Sequence, residues 1–154
     1  MAQEIERKFL VKGEAWRELA SGELFCQGYL STVKERTVRV RIHNTQATLT
    51  IKSITDRFSR NEFEYPIPLA DAEFMLQHLA EQPVISKYRY RIPIDNVVWE
   101  IDEFLGANLG LIIAELELQT SDQPFSLPEW VDKEVSYDPR YYNNNLVKHP
   151  YNTW

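Results

Sequence analysis

Charged residues recur in this sequence at two-residue spacing, which places side chains on one face of a β-strand. The series runs Glu4, Glu6 and Lys8; Arg39 and Arg41; Lys52 beside Thr48 and Thr50; Glu62 and Glu64; Lys87, Arg89 and Arg91; Glu100 and Asp102; and Glu115 and Glu117. These are seven cationic and eight anionic groups, and most segments carry a single sign. If they face one another, a polyanion would lie on the basic walls, and divalent cations would tie it to the carboxylates. That is the chemistry of magnesium- or manganese-dependent phosphoryl transfer, because hard cations prefer carboxylate oxygens and keep phosphates as co-ligands.

The intervening positions are apolar: Ile5 and Phe9, Val38, Val40 and Ile42, Leu49 and Ile51, Tyr88 and Tyr90, Trp99 and Ile101, Leu116 and Leu118. This alternation predicts eight strands, at about 3–11, 25–32, 36–43, 47–53, 59–67, 85–93, 97–104 and 111–119. Only the second strand carries an uncharged polar face, with Tyr29 and Ser31. His43-Asn44-Thr45-Gln46 and Asp95-Asn96 read as hairpin turns. Ala72, Met75, Leu76 and Leu79 form one stripe of a helix over 69–81. Shorter helices are expected around 14–20 (with Trp16 and Leu19) and at Pro128–Val135, and Asp138-Pro139 would start another.

A charged strand face is usually wet surface, so one such strand would mean little. Eight together can close a barrel and remove both sheet edges. The helices can then cover the apolar faces from outside, which leaves the ionic faces lining the lumen. Buried charges are costly, so that lining has to be wet, mutually paired or occupied by a charged ligand. The expected fold is α+β and mainly antiparallel: an eight-stranded closed β-barrel with peripheral helices, spanning residues 1–154 as a single domain.

The net charge of −6 argues against a general nucleic-acid binder. The charged N-terminus is not that of a signal peptide, and no apolar run is long enough for a membrane helix, so a cytoplasmic protein is expected. A transmembrane barrel fits poorly with the apolar stripe on 69–81, which needs a protein partner. Cys26 is the only cysteine and reads as a small packing residue.

Glu4-Ile5-Glu6-Arg7-Lys8 is a Glu-x-Glu-x-Lys signature. With the ordered pairs after it, the chain from residue 4 to about 145 resembles the CYTH family, the triphosphate tunnel metalloenzymes. The resemblance implies an eight-stranded tunnel that binds a linear or organic triphosphate with one or two ions of Mg2+ or Mn2+. The chain looks most like the small bacterial members, which tend towards hydrolysis of inorganic tripolyphosphate to pyrophosphate and phosphate. By matching positions, Lys8, Arg39, Arg41, Lys52, Lys87 and Arg89 bind phosphate. Glu4, Glu6, Glu115 and Glu117 hold metal, with Glu64 and Asp102 acting through water. Glu4 or Glu6 orients the attacking water, beside Lys8, and Tyr29 is a candidate hydrogen-bond donor to the substrate.

His43, His78 and His149 are expected at the surface, and no histidine is placed as a base. Arg91 is expected at the tunnel mouth in a structural pair. Lys133 and Glu134 read as a solvated helix face, with a plug over the tunnel as the alternative, and Tyr141-Tyr142-Asn143 reads as packing. The competing functions are a class IV-type adenylate cyclase, a thiamine or nucleoside triphosphatase, and a non-catalytic polyphosphate-binding module. The partner is then a small-molecule triphosphate, without nucleic acid or membrane; a homodimer is left open.

Overall fold

The computed structural model describes residues 2–54 and 59–154. Nine strands form the sheet: β1 Ala2–Val11, β2 Glu23–Ser31, β3 Thr37–His43, β4 Gln46–Lys52, β5 Ser59–Ile67, β6 Ile85–Ile94, β7 Val97–Phe104, β8 Ile112–Leu118 and β9 Val131–Glu134. The order β5-β4-β3-β2-β6-β7-β8-β1 closes on itself through a β1–β5 pairing, giving the expected eight-stranded antiparallel barrel.

β1 makes the closure by serving three partners. Its first residues pair with β5 from Ala2↔Glu62 to Ile5↔Ser59, and residues 5–10 pair with β8 along the opposite edge. Past Ile5 the β5 side of β1 passes to β9, through Phe9↔Glu134 and Val11↔Val131. The segment expected to be a helix at Pro128–Val135 therefore contains a strand. The free edge of β1 offers unpaired backbone groups, and pairing with them outweighs the weak helical pattern of so short a stretch. Glu134 is accordingly no solvated helix residue, since it accepts two bonds from Arg7 at 2.5 and 2.7 Å.

The two β-hairpins turn where expected. Asn44 and Asp95 take positive φ of 58° and 54°, which Asn and Asp tolerate better than other side chains do. The predicted helix over 69–81 is α-helical at Leu69–Phe74 (α1) and widens into a π-turn at Met75–Leu79. The helix expected around 14–20 is a single 3-10 turn, Ala15–Glu18, which buries Trp16 completely. Asp138 caps a further 3-10 turn at Pro139–Tyr141, accepting from the Arg140 N–H at 3.1 Å, and α2 follows at Asn143–Lys148.

Two of the three hydrophobic clusters lie outside the barrel. Against the outer face of β1, β6, β7 and β8, Trp99, Ile101 and Leu116 pack with Trp16, Trp130 and Phe125. On β3 and β4, Val40 and Ala47 meet Ala72, Leu76 and Ala80 of the α1 region. The Cβ of any larger residue at Gly28 would sit 2.9 Å from Ala80 Cβ and from Leu76 Cδ2, so glycine permits this approach. The third fills the barrel's end where β8 begins: Phe104, Ile113 and Ile85, on the inward face of Asp102, Glu115 and Lys87, pack with Tyr29 on Tyr141, Leu146 and Val147. With most of the apolar surface used outside, the inward positions short of that end are free to be ionic. Among the described residues, no helix is long and apolar enough to cross a membrane.

Candidate active site

The lumen holds the charged face of each barrel strand except β2, which contributes Phe25 and Tyr29. Its wide chamber, of about 390 Å³, is lined by Glu4, Glu6, Arg39, Arg41, Lys52, Glu62, Glu64, Arg89, Arg91, Glu100, Glu115 and Glu117, with Phe25 and His43 at the rim. A smaller chamber of about 40 Å³ continues inward past Glu6, Arg39, Arg41, Lys52, Arg89 and Glu115. It adds Lys8, Tyr29, Arg60 and Lys87, with Tyr142, Asn143 and Asn144 of the C-terminal segment. Of the expected phosphate and metal residues, only Asp102 lines neither chamber; it sits behind the wall.

Charge is graded along this axis. Among the described residues, the wide chamber has seven carboxylates to five Lys or Arg, while the inner one has two carboxylates to seven. Register explains part of the grading. Lys52 on β4 reaches its β5 partner Glu62 at 3.5 Å and, beyond β5, Glu4 of β1 at 2.8 Å. Lys8 reaches Glu115 at 2.6 Å, directly opposite it on β8, and Glu6 at 3.2 Å. Burial disfavours the Lys8 ammonium, but Glu115 and Glu6 outweigh it and hold its pKa above the ordinary lysine value.

Asp102 is wholly buried and saturated: Lys87 Nζ donates at 2.6 Å, Arg89 Nε at 2.7 Å and Arg89 Nη2 at 2.9 Å. Burial would raise its pKa, but Arg89 and Lys87 more than compensate and keep it ionised. Burial lowers Lys87 to about 7 in spite of Asp102. Arg41 is lowered to about 9 by burial and by Arg39 and Arg89. Arg39 Nε is buried with no acceptor, an orphaned donor inside the tunnel. Each of these costs would be relieved by a bound anion.

The acidic end shows the converse. Burial, then Glu4, Glu62, Glu6 and Glu100, push the Glu117 carboxyl up to about 7. Burial and Glu115 raise Glu6 as well, against the pull of Lys8. Hard carboxylate oxygens crowded to the point of mutual repulsion suit a divalent cation. Among the described residues no three such groups close on one point as they stand, with Glu4, Glu6 and Glu115 bonded to Lys52 and Lys8. The residues fit a metal by their chemistry, and substrate oxygens would complete the shell.

Sequence reasoning missed Phe25, Gln27, Arg60 and Asn143. Phe25 stacks on His43 at 4.1 Å, with the Arg41 and Arg89 guanidiniums each 5.1 Å from its ring centre. Fully buried Gln27 accepts from Arg41 Nε and Nη2 at 2.9 and 2.7 Å and donates to Asn143 Oδ1 at 3.1 Å. Lys87 Nζ donates to the same Asn143 oxygen at 2.9 Å. Strand parity contained a signal for three of these: Phe25 and Gln27 share the face of Tyr29, and Arg60 that of Glu62. Asn143 had none, because its place depends on how the C-terminal segment folds back. His43, expected as a plain surface residue, is half-buried at the rim, with its ring nitrogen 2.8 Å from Glu23. His78 and His149 are exposed. Arg91 is mostly exposed and pairs with Glu100 at 3.0 Å.

Comparison with known proteins agrees with this architecture. The chain is 48% identical over 151 residues to the inorganic triphosphatase of Acetivibrio thermocellus, covering 98% of this chain and 97% of that protein. The crystal structure of the inorganic triphosphatase NE1496 superposes with a TM-score of 0.63 at 32% identity, covering 93% of this chain and 96% of that one. The PH1012 protein of Pyrococcus horikoshii OT3 shares the fold, with a TM-score of 0.58 at 24% identity over 77% of this chain and 80% of its own. The CYTH domain matches residues 2–151. With a closed barrel, an ionic lumen and that match over nearly its whole length, the chain belongs to the CYTH domain family.

Proposed function

We propose that this chain is a cytoplasmic enzyme that hydrolyses inorganic tripolyphosphate to pyrophosphate and phosphate with Mg2+ or Mn2+, and that residues 1–154 act as one tunnel unit. The observation that carries the reading is the graded ionic lumen, in a chain 48% identical to a relative named an inorganic triphosphatase.

In this reading Lys8, Arg39, Arg41, Lys52, Lys87 and Arg89 bind the phosphate chain. Arginine supplies paired N–H donors to its oxygens and lysine supplies point charge. Tyr29 lines the inner chamber and donates there. Glu4, Glu6, Glu115, Glu117 and Glu64 face the side where metal would be held. A bound divalent ion would supply charge neutralisation at the phosphates and a more acidic water. Glu4 or Glu6 orients that water, and Asp102 holds Lys87 and Arg89 in place.

Phosphate release from tripolyphosphate, ATP and thiamine triphosphate, each with magnesium, manganese or chelator, tests the reading. Metal-dependent release that favours tripolyphosphate is expected. Release chiefly from an organic triphosphate would replace the substrate, and formation of cyclic AMP would replace the reaction. Glu4→Gln should lose turnover by about 100-fold or more, the scale of a removed acid–base group, with tripolyphosphate affinity much less affected.

A further inference from the structure

Most cations around the inner chamber are already paired. Lys8 sits on Glu115, Lys52 on Glu4, and Lys87 and Arg89 on Asp102. Among the described residues, Arg41 and Arg60 have no carboxylate within ion-pair distance, and Arg39 meets only Glu64, at 3.8 Å. Arg39 also keeps its orphaned Nε. Three guanidiniums with spare donors therefore surround one small space.

Arg60 comes from β5, the other two from β3. It is two residues before Glu62 on the same inward face, directly opposite Glu4 in the β1–β5 seam. Its guanidinium lies 5.9 Å from the ring centre of Tyr142, whose hydroxyl donates to the Ser136 carbonyl at 2.7 Å. The ring is thus fixed and holds the guanidinium against the chamber wall. Asn144, which donates to the Thr32 carbonyl at 3.2 Å, anchors the same segment to the end of β2.

At about 40 Å³, and lined by Tyr142, Asn143 and Asn144 as well as the cations, this narrow space suits the end of a phosphate chain better than its middle. We propose that Arg60 binds the unsubstituted terminal phosphoryl group of a linear polyphosphate at the inner end of the tunnel, with its guanidinium held there by Tyr142. A chain end carries more charge than an internal phosphate, and it suits the region where cations outnumber carboxylates. Any substituent on the other end then belongs in the wide chamber. This deepens the reading of the tunnel as a triphosphate site and rests on it.

The test is calorimetric titration, in chelator, of tripolyphosphate and of cyclic trimetaphosphate, which has no chain end. The proteins are the unaltered chain, Arg60→Gln and Arg60→Lys. Arg60 is only partly buried, so both variants should fold, and Arg60→Lys carries the comparison if Arg60→Gln does not. Losing a charged fork should weaken tripolyphosphate binding about tenfold in Arg60→Gln and less in Arg60→Lys, leaving trimetaphosphate within about twofold. The assignment is overturned if Arg60→Gln binds tripolyphosphate normally, if both ligands weaken equally, or if the unaltered chain binds no tripolyphosphate. Phosphate release by the unaltered chain in magnesium is scored separately. Binding through Arg60 with no release would sink the hydrolase reading and leave this assignment standing.

Discussion

Replacing Asp102 by Asn removes one negative charge and little else, since volume and one carbonyl acceptor remain. Its consequence follows from two neighbours. Lys87, 1% exposed, would keep the Asn143 oxygen at 2.9 Å and compete with Arg89 for the single carbonyl left at position 102. Arg89, 8% exposed, would fall back on Glu100 at 3.5 Å and Glu115 at 3.9 Å. Breaking a buried pair in this way costs about 3–5 kcal/mol, a large share of the roughly 5–15 kcal/mol that holds a domain together. The cost depends on pH through Lys87. Its pKa is about 7 in the fold, against an ordinary 10.5. Between those values the unfolded chain holds a proton that the folded chain releases, so stability rises with pH. Without Asp102 the folded pKa drops further and that window widens downward, so the variant's deficit shrinks as the unaltered protein also loses the Lys87 charge. Urea unfolding followed by tryptophan fluorescence, at pH 6 and pH 9, measures both effects. A loss of about 3–5 kcal/mol at pH 6, falling by roughly half at pH 9, is expected. A loss below about 1 kcal/mol at pH 6, the level of an exposed pair, would refute the reasoning. So would a deficit that grows with pH.

Two further outcomes are expected. Glu117 has its folded pKa raised from 4.5 to about 7, so its contribution to stability declines as pH rises through that interval. In chelator at pH 8, Glu117→Gln should therefore melt higher than the unaltered chain, by about 1 kcal/mol once partial exposure is discounted. Added magnesium should reverse the order, and equal melting of the two in chelator would count against the crowding of carboxylates. Gly28→Ala drives a methyl into Ala80 and Leu76. It should cost about 1–3 kcal/mol in urea unfolding while leaving tripolyphosphate binding alone, and a neutral result would show that the α1 region slides freely on β2.

The barrel was legible because its pattern is strictly periodic. Each strand from β3 to β8 alternates ion with hydrocarbon, and the hairpins at Asn44 and Asp95 carry the turn chemistry their φ angles require. What sequence could not yield was long-range exchange. The 128–135 segment has a helix-compatible pattern, yet becomes a strand because β1 leaves an open edge after β5 departs. Asp102 reads as one more lumen acid, and its role as the partner of Lys87 and Arg89 depends on register between β6 and β7. Gln27 and Asn143 are uncharged, so nothing in their residue type marks them; the fold makes them significant by setting them between Arg41 and Lys87.

The grading of charge along the lumen has a kinetic corollary. A bare polyanion entering from the wide end meets a chamber where seven carboxylates outnumber five Lys or Arg before it reaches the cation-rich inner one, on a protein of net charge −6. Long-range forces therefore oppose the encounter, and mobile ions screen them over about 8 Å at physiological ionic strength. Association of metal-free tripolyphosphate should quicken as salt is added, the reverse of what a basic orifice would give. Once bound, the same ligand sits among an excess of cations, so salt should quicken its departure as well. The rim and the floor act as opposing elements in series, and a chain neutralised before arrival is the one that passes both with least dependence on ionic strength.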